Sequence, residues 1–249
     1  MKLHEALGIS RGDVVAFAGA GGKSSAILQI ARELPEAGMT VVTIPTTKMF
    51  LGEVERLGPL VVSEEPQELA AGVKAALYGG DGSVVAGKAR ISKNRIEGVG
   101  PDVVGDLAPL ADVVLVEADG SRRRPIKGTA DHEPVLPASA TLVVAVGNVS
   151  ALGSPVDEEH VHRPAVFSEL TGVGPGQSIT ARAFARALAQ GSAGTIPEGA
   201  RTAALITGVE PGRLMADASS IARELWRLDI RDVVLTSLPK DAPARVWIP

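Results

Sequence analysis

The segment Val14-Val15-Ala16-Phe17-Ala18-Gly19-Ala20-Gly21-Gly22-Lys23-Ser24-Ser25 sets a glycine-rich turn between an apolar run and a helical pattern. Glycines let the backbone fold so that successive N–H groups converge on an anion. The start of a helix adds favourable partial charge. In such a turn Lys23 can reach terminal phosphates, and Ser24 can offer its hydroxyl oxygen to Mg²⁺. The full pattern G-x-x-x-x-G-K-[ST] is not met, because Phe17 stands at its first glycine. The dinucleotide pattern G-x-G-x-x-G fails as well, because Ser24 stands at its last. What remains is G-x-G-G-K-S, and its Lys-Ser pair points to a nucleoside triphosphate rather than a dinucleotide. Gly19, Ala20, Gly21, Gly22, Lys23, Ser24 and Ser25 are the expected binding set. The plain alternative is a structural turn beside a surface lysine.

A second segment, Val113-Val114-Leu115-Val116-Glu117-Ala118-Asp119-Gly120, ends an apolar run in two carboxylates. Residues two apart share a face of a strand. In open parallel sheets, ligands sit beyond the carboxyl ends of the strands. An acid there can hold Mg²⁺ or its water shell. Glu117 and Asp119 both qualify and the sequence does not choose between them, so the expected metal set is Ser24, Glu117 and Asp119. A turn cap or an arginine pair is the alternative for either carboxylate. Thr46 and Thr47 follow another apolar run, where their hydroxyls can face a γ-phosphate or cap a helix.

Basic residues follow at once in Ser121-Arg122-Arg123-Arg124-Pro125-Ile126-Lys127. Arginine suits two-pronged binding of phosphate or carboxylate. Arg122 therefore joins Lys23, Glu117 and Asp119 as a candidate catalytic residue, a solvated surface run being the alternative. Lys88, Arg90, Lys93 and Arg95 form another basic stretch, which can gate the site, bind an acidic partner or be a solvated loop. His160 and His162 lack further nearby ligands for a metal. His162 or Arg163 is left as a candidate for a catalytic or substrate-binding role.

These residues need a scaffold. Val14–Ala18, Val41–Ile44, Val84–Ala86, Val113–Val116, Leu142–Val146, Ala203–Ile206 and Val233–Leu235 are apolar on both faces. Such runs are typical of parallel strands covered on both sides. Helical spacing appears in Ser24–Leu34, with Pro35 and Gly38 as its stop, and in residues 66–77. It recurs in Thr180–Ala189, with Thr180 as N-cap and Gly191 as stop, and in Leu214–Leu228. Alternating strands and helices predict a three-layer α/β/α fold on a mostly parallel sheet. We expect one domain over residues 1–249, with the part from about residue 170 as a possible sub-lobe.

Composition narrows the function classes. The chain has 249 residues, 45% hydrophobic and 22% charged, which excludes disorder as its main character. The net charge of −4 gives no basic footprint for nucleic acid. With 3% aromatics there is no base-stacking platform. The absence of cysteine excludes disulfides, thiolate zinc sites, iron–sulfur ligation and a thiol nucleophile. No apolar run approaches the roughly 20 residues of a membrane span. Lys2, Glu5, Arg11 and Asp13 break any signal-peptide core, so a cytoplasmic location is expected.

Taken in order, a further set of motifs carries a resemblance. They are Gly19-Ala20-Gly21-Gly22-Lys23-Ser24, Thr46-Thr47-Lys48-Met49, Glu117-Ala118-Asp119-Gly120-Ser121, Pro125-Ile126-Lys127, His132-Glu133-Pro134-Val135-Leu136-Pro137 and Val161-His162-Arg163-Pro164. The chain resembles the YqeC family, accessory proteins of selenium-dependent molybdenum hydroxylases. The Glu-Ala-Asp-Gly segment with its downstream Lys and Glu-Pro is the most specific part. The resemblance implies a P-loop nucleoside-triphosphatase-like fold and a role in maturing a molybdenum enzyme. It implies Lys23 and Ser24 as phosphate and Mg²⁺ ligands and Glu117 and Asp119 as the acidic pair. His162 and Arg163 come with it as motif members of no assigned role.

Thr207 and Gly208 stand where many P-loop GTPases carry Asn-Lys, which favours ATP over GTP. Without cysteine, the chain cannot carry selenium or sulfur on a thiol of its own. It must then act on a bound small molecule or on a partner, and the expected partners are a nucleotide and a molybdenum hydroxylase or its cofactor. The expected function is Mg·ATP binding in hydroxylase maturation, as an ATP hydrolase or an ATP-dependent transferase. Two alternatives stay open. One is a small-molecule kinase or ATP-dependent ligase whose Arg122–Arg124 and Lys127 bind an acidic substrate. The other is a non-catalytic module for a nucleotide or a pterin-type phosphorylated ligand.

Overall fold

A computed structural model describes the chain except residues 81, 195, 211 and 239–242, and Arg213 by its backbone alone. The strands in chain order are β1 (Asp13–Gly19), β2 (Val41–Pro45), β3 (Met49–Phe50), β4 (Leu60–Val62), β5 (Ser83–Gly87), β6 (Ala89–Ser92) and β7 (Arg95–Glu97). They continue with β8 (Val113–Glu117), β9 (Ile126–Lys127), β10 (Leu142–Asn148), β11 (Val161–His162), β12 (Arg201–Thr207), β13 (Asp232–Leu235) and β14 (Arg245–Val246). Nine of them form one sheet in the order β14-β13-β12-β10-β1-β8-β2-β5-β4. Every pair in it is parallel except β13–β14. All seven apolar runs of the sequence lie inside strands of this sheet.

Side chains alternate between the faces of a strand, and the core divides accordingly. Val15, Phe17, Leu115, Val144, Val146 and Leu205 pack on one face with Ile27, Ile30 and Leu34 of the helix Lys23–Glu36. On the other face, Val14, Ala16, Val42, Ile44, Val114 and Val116 meet Leu69, Val73 and Leu77 of the helix Pro66–Gly79 and Val104 of Pro101–Leu107. Further along that face, Ala145, Ala204, Ile206 and Val233 meet Phe167, Phe184, Ile221 and Leu225 from the helices Pro164–Thr171, Ala181–Arg186 and Arg213–Arg227. Helices thus cover both faces of a mostly parallel sheet, the three-layer α/β/α arrangement the sequence pattern predicts. Strands β12, β13 and β14 carry residues beyond 170 into the same sheet as β1.

Two helix ends differ from expectation. The helix Lys23–Glu36 runs through Pro35. A proline this close to the end removes one backbone bond only, and Gly38, at φ +74°, closes the turn beyond it. The segment capped by Thr180, whose Oγ1 accepts from the Ala183 N–H at 3.1 Å, passes Gly191 as a widened turn over Ala187–Ser192. Gly191 serves packing there. A Cβ on it would lie 2.9 Å from Thr129 Oγ1 and 3.0 Å from Leu170 Cδ2.

Candidate functional site

The glycine turn leaves the carboxyl end of β1, between β8 and β10. Gly19 has φ +102°, and a Cβ there would sit 2.3 Å from Val146 O. Gly21 has φ +71°, and its Cβ would sit 2.5 Å from Pro125 O and 2.6 Å from Asn148 Cβ. The turn is therefore wedged against the ends of β10 and β12, where Thr207 Oγ1 donates to Gly21 O. The Ala20 N–H bonds Val146 O at 2.9 Å, and the Ala26 N–H is the first to bond back along the helix, to Gly22 O at 2.9 Å. Between them lie the amides that a helix start leaves without a carbonyl one turn back. Gly21, Gly22, Lys23, Ser24 and Ser25 all line a cleft of about 700 Å³.

The two carboxylates of the acidic strand end part company. Glu117, the last residue of β8, lines the cleft, and Ser24 Oγ donates to its carboxylate at 3.2 and 3.4 Å. Burial pushes the Glu117 carboxyl up to about 7, with the negative charges of Glu53 and Asp119 adding and Lys23 and the Ser24 hydroxyl opposing. Asp119 lies two residues on and is fully buried. It accepts from the Gly19 N–H at 2.9 Å and from Lys127 Nζ at 2.9 Å, and Lys23 Nζ is 3.1 Å from its other oxygen. Lys23 is itself buried and donates to Gly19 O at 2.6 Å. Thr46 lies close by, its hydroxyl 3.3 Å from Glu117 O and 3.2 Å from Val135 O.

Lys127, a sequence candidate for an acidic substrate, is only 1% exposed. Its ammonium is held by Asp119, by Gly120 O at 3.0 Å and by Glu133. Glu133 also takes both arms of the Arg163 guanidinium. Burial raises the Glu133 carboxyl, but the hydrogen bonds from Arg163 and Lys127 outweigh it and hold the group at about 2. Lys23, Asp119, Lys127, Glu133 and Arg163 thus form one chain of alternating charge. The parallel pair β9–β11 builds its far end by setting His162 beside Lys127.

The basic segment forms the wall between two clefts. Arg122 and Gly120 line both the large cleft and a neighbouring one of about 440 Å³. Arg124, Glu133, His162 and Arg163 line only the smaller. His162 is pushed down to about 4 by burial and then by the charges of Arg163 and Lys127. His160 turns away to Asp157 at 2.8 Å. Among the described residues no group of three or more His, Asp or Glu is placed to hold a metal ion. Phe50, Asn148 and Thr207 also line the large cleft, and no motif marked Phe50 or Asn148 for a site role. The Arg95 guanidinium lies 4.4 Å from the Phe50 ring centre and that of Arg123 lies 5.5 Å from it. Of the basic stretch Lys88–Arg95, only Arg95 reaches the cleft.

The model of the YqeC protein family matches residues 15–165. The chain belongs to the YqeC family. The matched stretch contains the glycine turn, Glu117, Asp119, the arginine run, Lys127, Glu133 and Arg163. Thr207 of the large cleft lies outside it. An Escherichia coli (strain K12) protein described as uncharacterized protein YqeC is 31% identical over 196 residues, covering 77% of this chain and 74% of the relative. Membership in YqeC thus rests on most of the chain rather than on the glycine turn alone. Among the described residues no helix is long and apolar enough to cross a membrane.

Proposed function

We propose that this YqeC chain binds Mg·ATP in the large cleft and serves, as an accessory protein, the maturation of a selenium-dependent molybdenum hydroxylase. The observation that carries the nucleotide reading is the set of helix-start amides from Gly21 to Ser25. They line one cleft together with the oxygen pair of Ser24 and Glu117. Unpaired backbone donors at a helix start suit phosphate oxygens. A hydroxyl beside a single carboxylate suits Mg²⁺, which takes one or two carboxylates and completes its shell with phosphate and water. The role in hydroxylase maturation comes from the family resemblance.

Each residue then has a task. The amides of the turn hold the phosphates, and Ser24 and Glu117 hold the metal. Asp119 serves as a positioning residue, because its carboxylate fixes the Gly19 N–H and the Lys23 ammonium behind the turn. When Lys23 turns toward a phosphate, Lys127 and the Gly19 N–H keep Asp119 compensated. Arg122, on the cleft wall, supplies a second cation. Bound Mg·ATP would supply a transferable phosphoryl group, and catalysis would come from positioning and charge neutralisation. A second reading, an ATP-dependent transferase acting on a small molecule, is favoured by Arg122 lining both clefts.

The test is a thermal-unfolding titration with Mg·ATP and Mg·GTP on wild type, Ser24→Ala and Lys23→Ala. Ligand at 100 times its Kd adds about 2.7 kcal/mol. At 2–4 °C per kcal/mol for chains of this size, Tm should rise by about 5–10 °C. The rise should shrink in both variants and be larger for ATP. No rise with millimolar nucleotide in folded wild-type protein overturns the reading.

A further inference from the structure

The smaller cleft shares only Gly120 and Arg122 with the large one. Its volume of about 440 Å³ falls within the range of small-molecule sites. Three arginines, Arg122, Arg124 and Arg163, line it against two carboxylates, Glu133 and Glu158. Both Glu133 oxygens are already engaged by Lys127 and Arg163. Arg163 has five N–H donors, and Glu133 takes two of them. Arg122 and Arg124 make no ion pair among the described residues. Among the described residues the guanidinium groups of Arg122 and Arg124 have no hydrogen-bonded protein acceptor, although Glu158 also lines the cleft.

The backbone points the same way. Among the described residues the only non-glycine residues with positive φ are Arg122 (47°), Arg123 (61°), Arg163 (61°) and Asp229 (64°). Two of these four, Arg122 and Arg163, line this cleft, while Arg123 lines the large one. Such conformations cost of order 1–3 kcal/mol each and gather where a ligand is clamped. Gly128 draws the two arginine segments together, its N–H bonding His162 O at 2.8 Å. A Cβ on it would lie 2.7 Å from Arg163 O.

We propose that this cleft binds a second, small oxyanionic ligand, a phosphate ester or a carboxylate, on the guanidinium groups of Arg122, Arg124 and Arg163. Its wall at Gly120 and Arg122 is shared with the large cleft, so the ligand lies beside the phosphates of a bound nucleotide. That adjacency rests on the nucleotide reading, whereas the anion site itself does not.

The experiment is calorimetric titration of the full chain at low salt with two probes, inorganic pyrophosphate and citrate. Wild type, Arg124→Ala and Ser24→Ala are compared, and Mg·ATP is titrated in parallel. Arg124 lines only the smaller cleft, and an unchanged Tm checks that its variant folds. At least one probe should bind, weaken tenfold or more in Arg124→Ala, and keep its affinity within about twofold in Ser24→Ala. The tighter probe then names the phosphate or the carboxylate class. Binding that weakens only in Ser24→Ala would place the anion in the large cleft and overturn the proposal, as would no binding at millimolar probe. If Mg·ATP fails to bind while the Arg124-dependent probe does, the nucleotide reading falls and this site stands.

Discussion

Asp119→Asn is the most informative single change. The wild-type carboxylate is fully buried and meets three donors, the Gly19 N–H and the ammonium groups of Lys23 and Lys127. Asparagine keeps the shape and removes the charge. Its amide can accept from Gly19, but its NH₂ then faces an ammonium. Breaking a buried ion pair by removing one partner costs about 3–5 kcal/mol, because the other charge is left uncompensated. Glu133 still holds Lys127, so the stranded charge is Lys23, which keeps Gly19 O as a hydrogen-bond acceptor and has Glu117 nearby but not in an ion pair. For a chain of this length the cost corresponds to a fall in Tm of about 6–20 °C by differential scanning calorimetry. The fall should persist in 0.5 M NaCl, since buried pairs are screened far less than surface ones. Adding Lys23→Met to Asp119→Asn should restore part of the loss, with a coupling of about 1–3 kcal/mol. A fall below about 3 °C, or singles that add to the double within about 0.5 kcal/mol, would refute the buried-pair argument.

Three further outcomes are expected. The Glu117 carboxyl, raised to about 7, lowers stability once pH passes the unfolded value near 4.5 and reaches its full cost above 7. Glu117→Gln should therefore match wild type at pH 4 and, in metal-free protein, exceed it at pH 8, read as Tm against pH. Glu133, held at about 2, has the opposite sign: its contribution is present above about 4.5 and is lost as pH falls toward 2. Acid unfolding of Glu133→Gln should start from lower stability and show a shallower slope between pH 4.5 and 2. Gly21→Ala places a Cβ 2.5 Å from Pro125 O at φ +71° and should lower Tm by several degrees, with loss of any nucleotide affinity measured by calorimetry.

The sequence was most legible where one local rule decided the outcome. Val113–Val116 and Leu142–Val146 are apolar on both faces because helices cover both faces of the sheet, so their residue types alone announce buried parallel strands. The short strands β3, β4, β7, β9, β11 and β14 escaped, since two or three residues carry no period. Pro35 misled because a proline near a helix end removes a single hydrogen bond. At the site, the glycine turn and Glu117 were legible from their place after apolar runs. The separation of Glu117 from Asp119 was not, because it depends on depth: Asp119 is sealed by Lys127, Glu133 and Arg163, which come from segments 8 to 44 residues away. Burial of a lysine such as Lys127 cannot be read from its type, since lysines are almost never fully buried unless paired.

The alternating chain from Lys23 to Arg163 also constrains how this protein can change over time. Loss of Asp119 alone strands Lys23 out of water, and loss of Glu133 alone leaves Arg163 without its carboxylate. Drift at these positions must therefore proceed by joint replacement. A relative that has lost Glu133 should also have lost the cation at position 163 or at 127, and one without Asp119 should lack Lys23 or Lys127. The five positions behave as a single inherited unit spread over 141 residues of chain, and simple reading of related sequences can show whether they travel together.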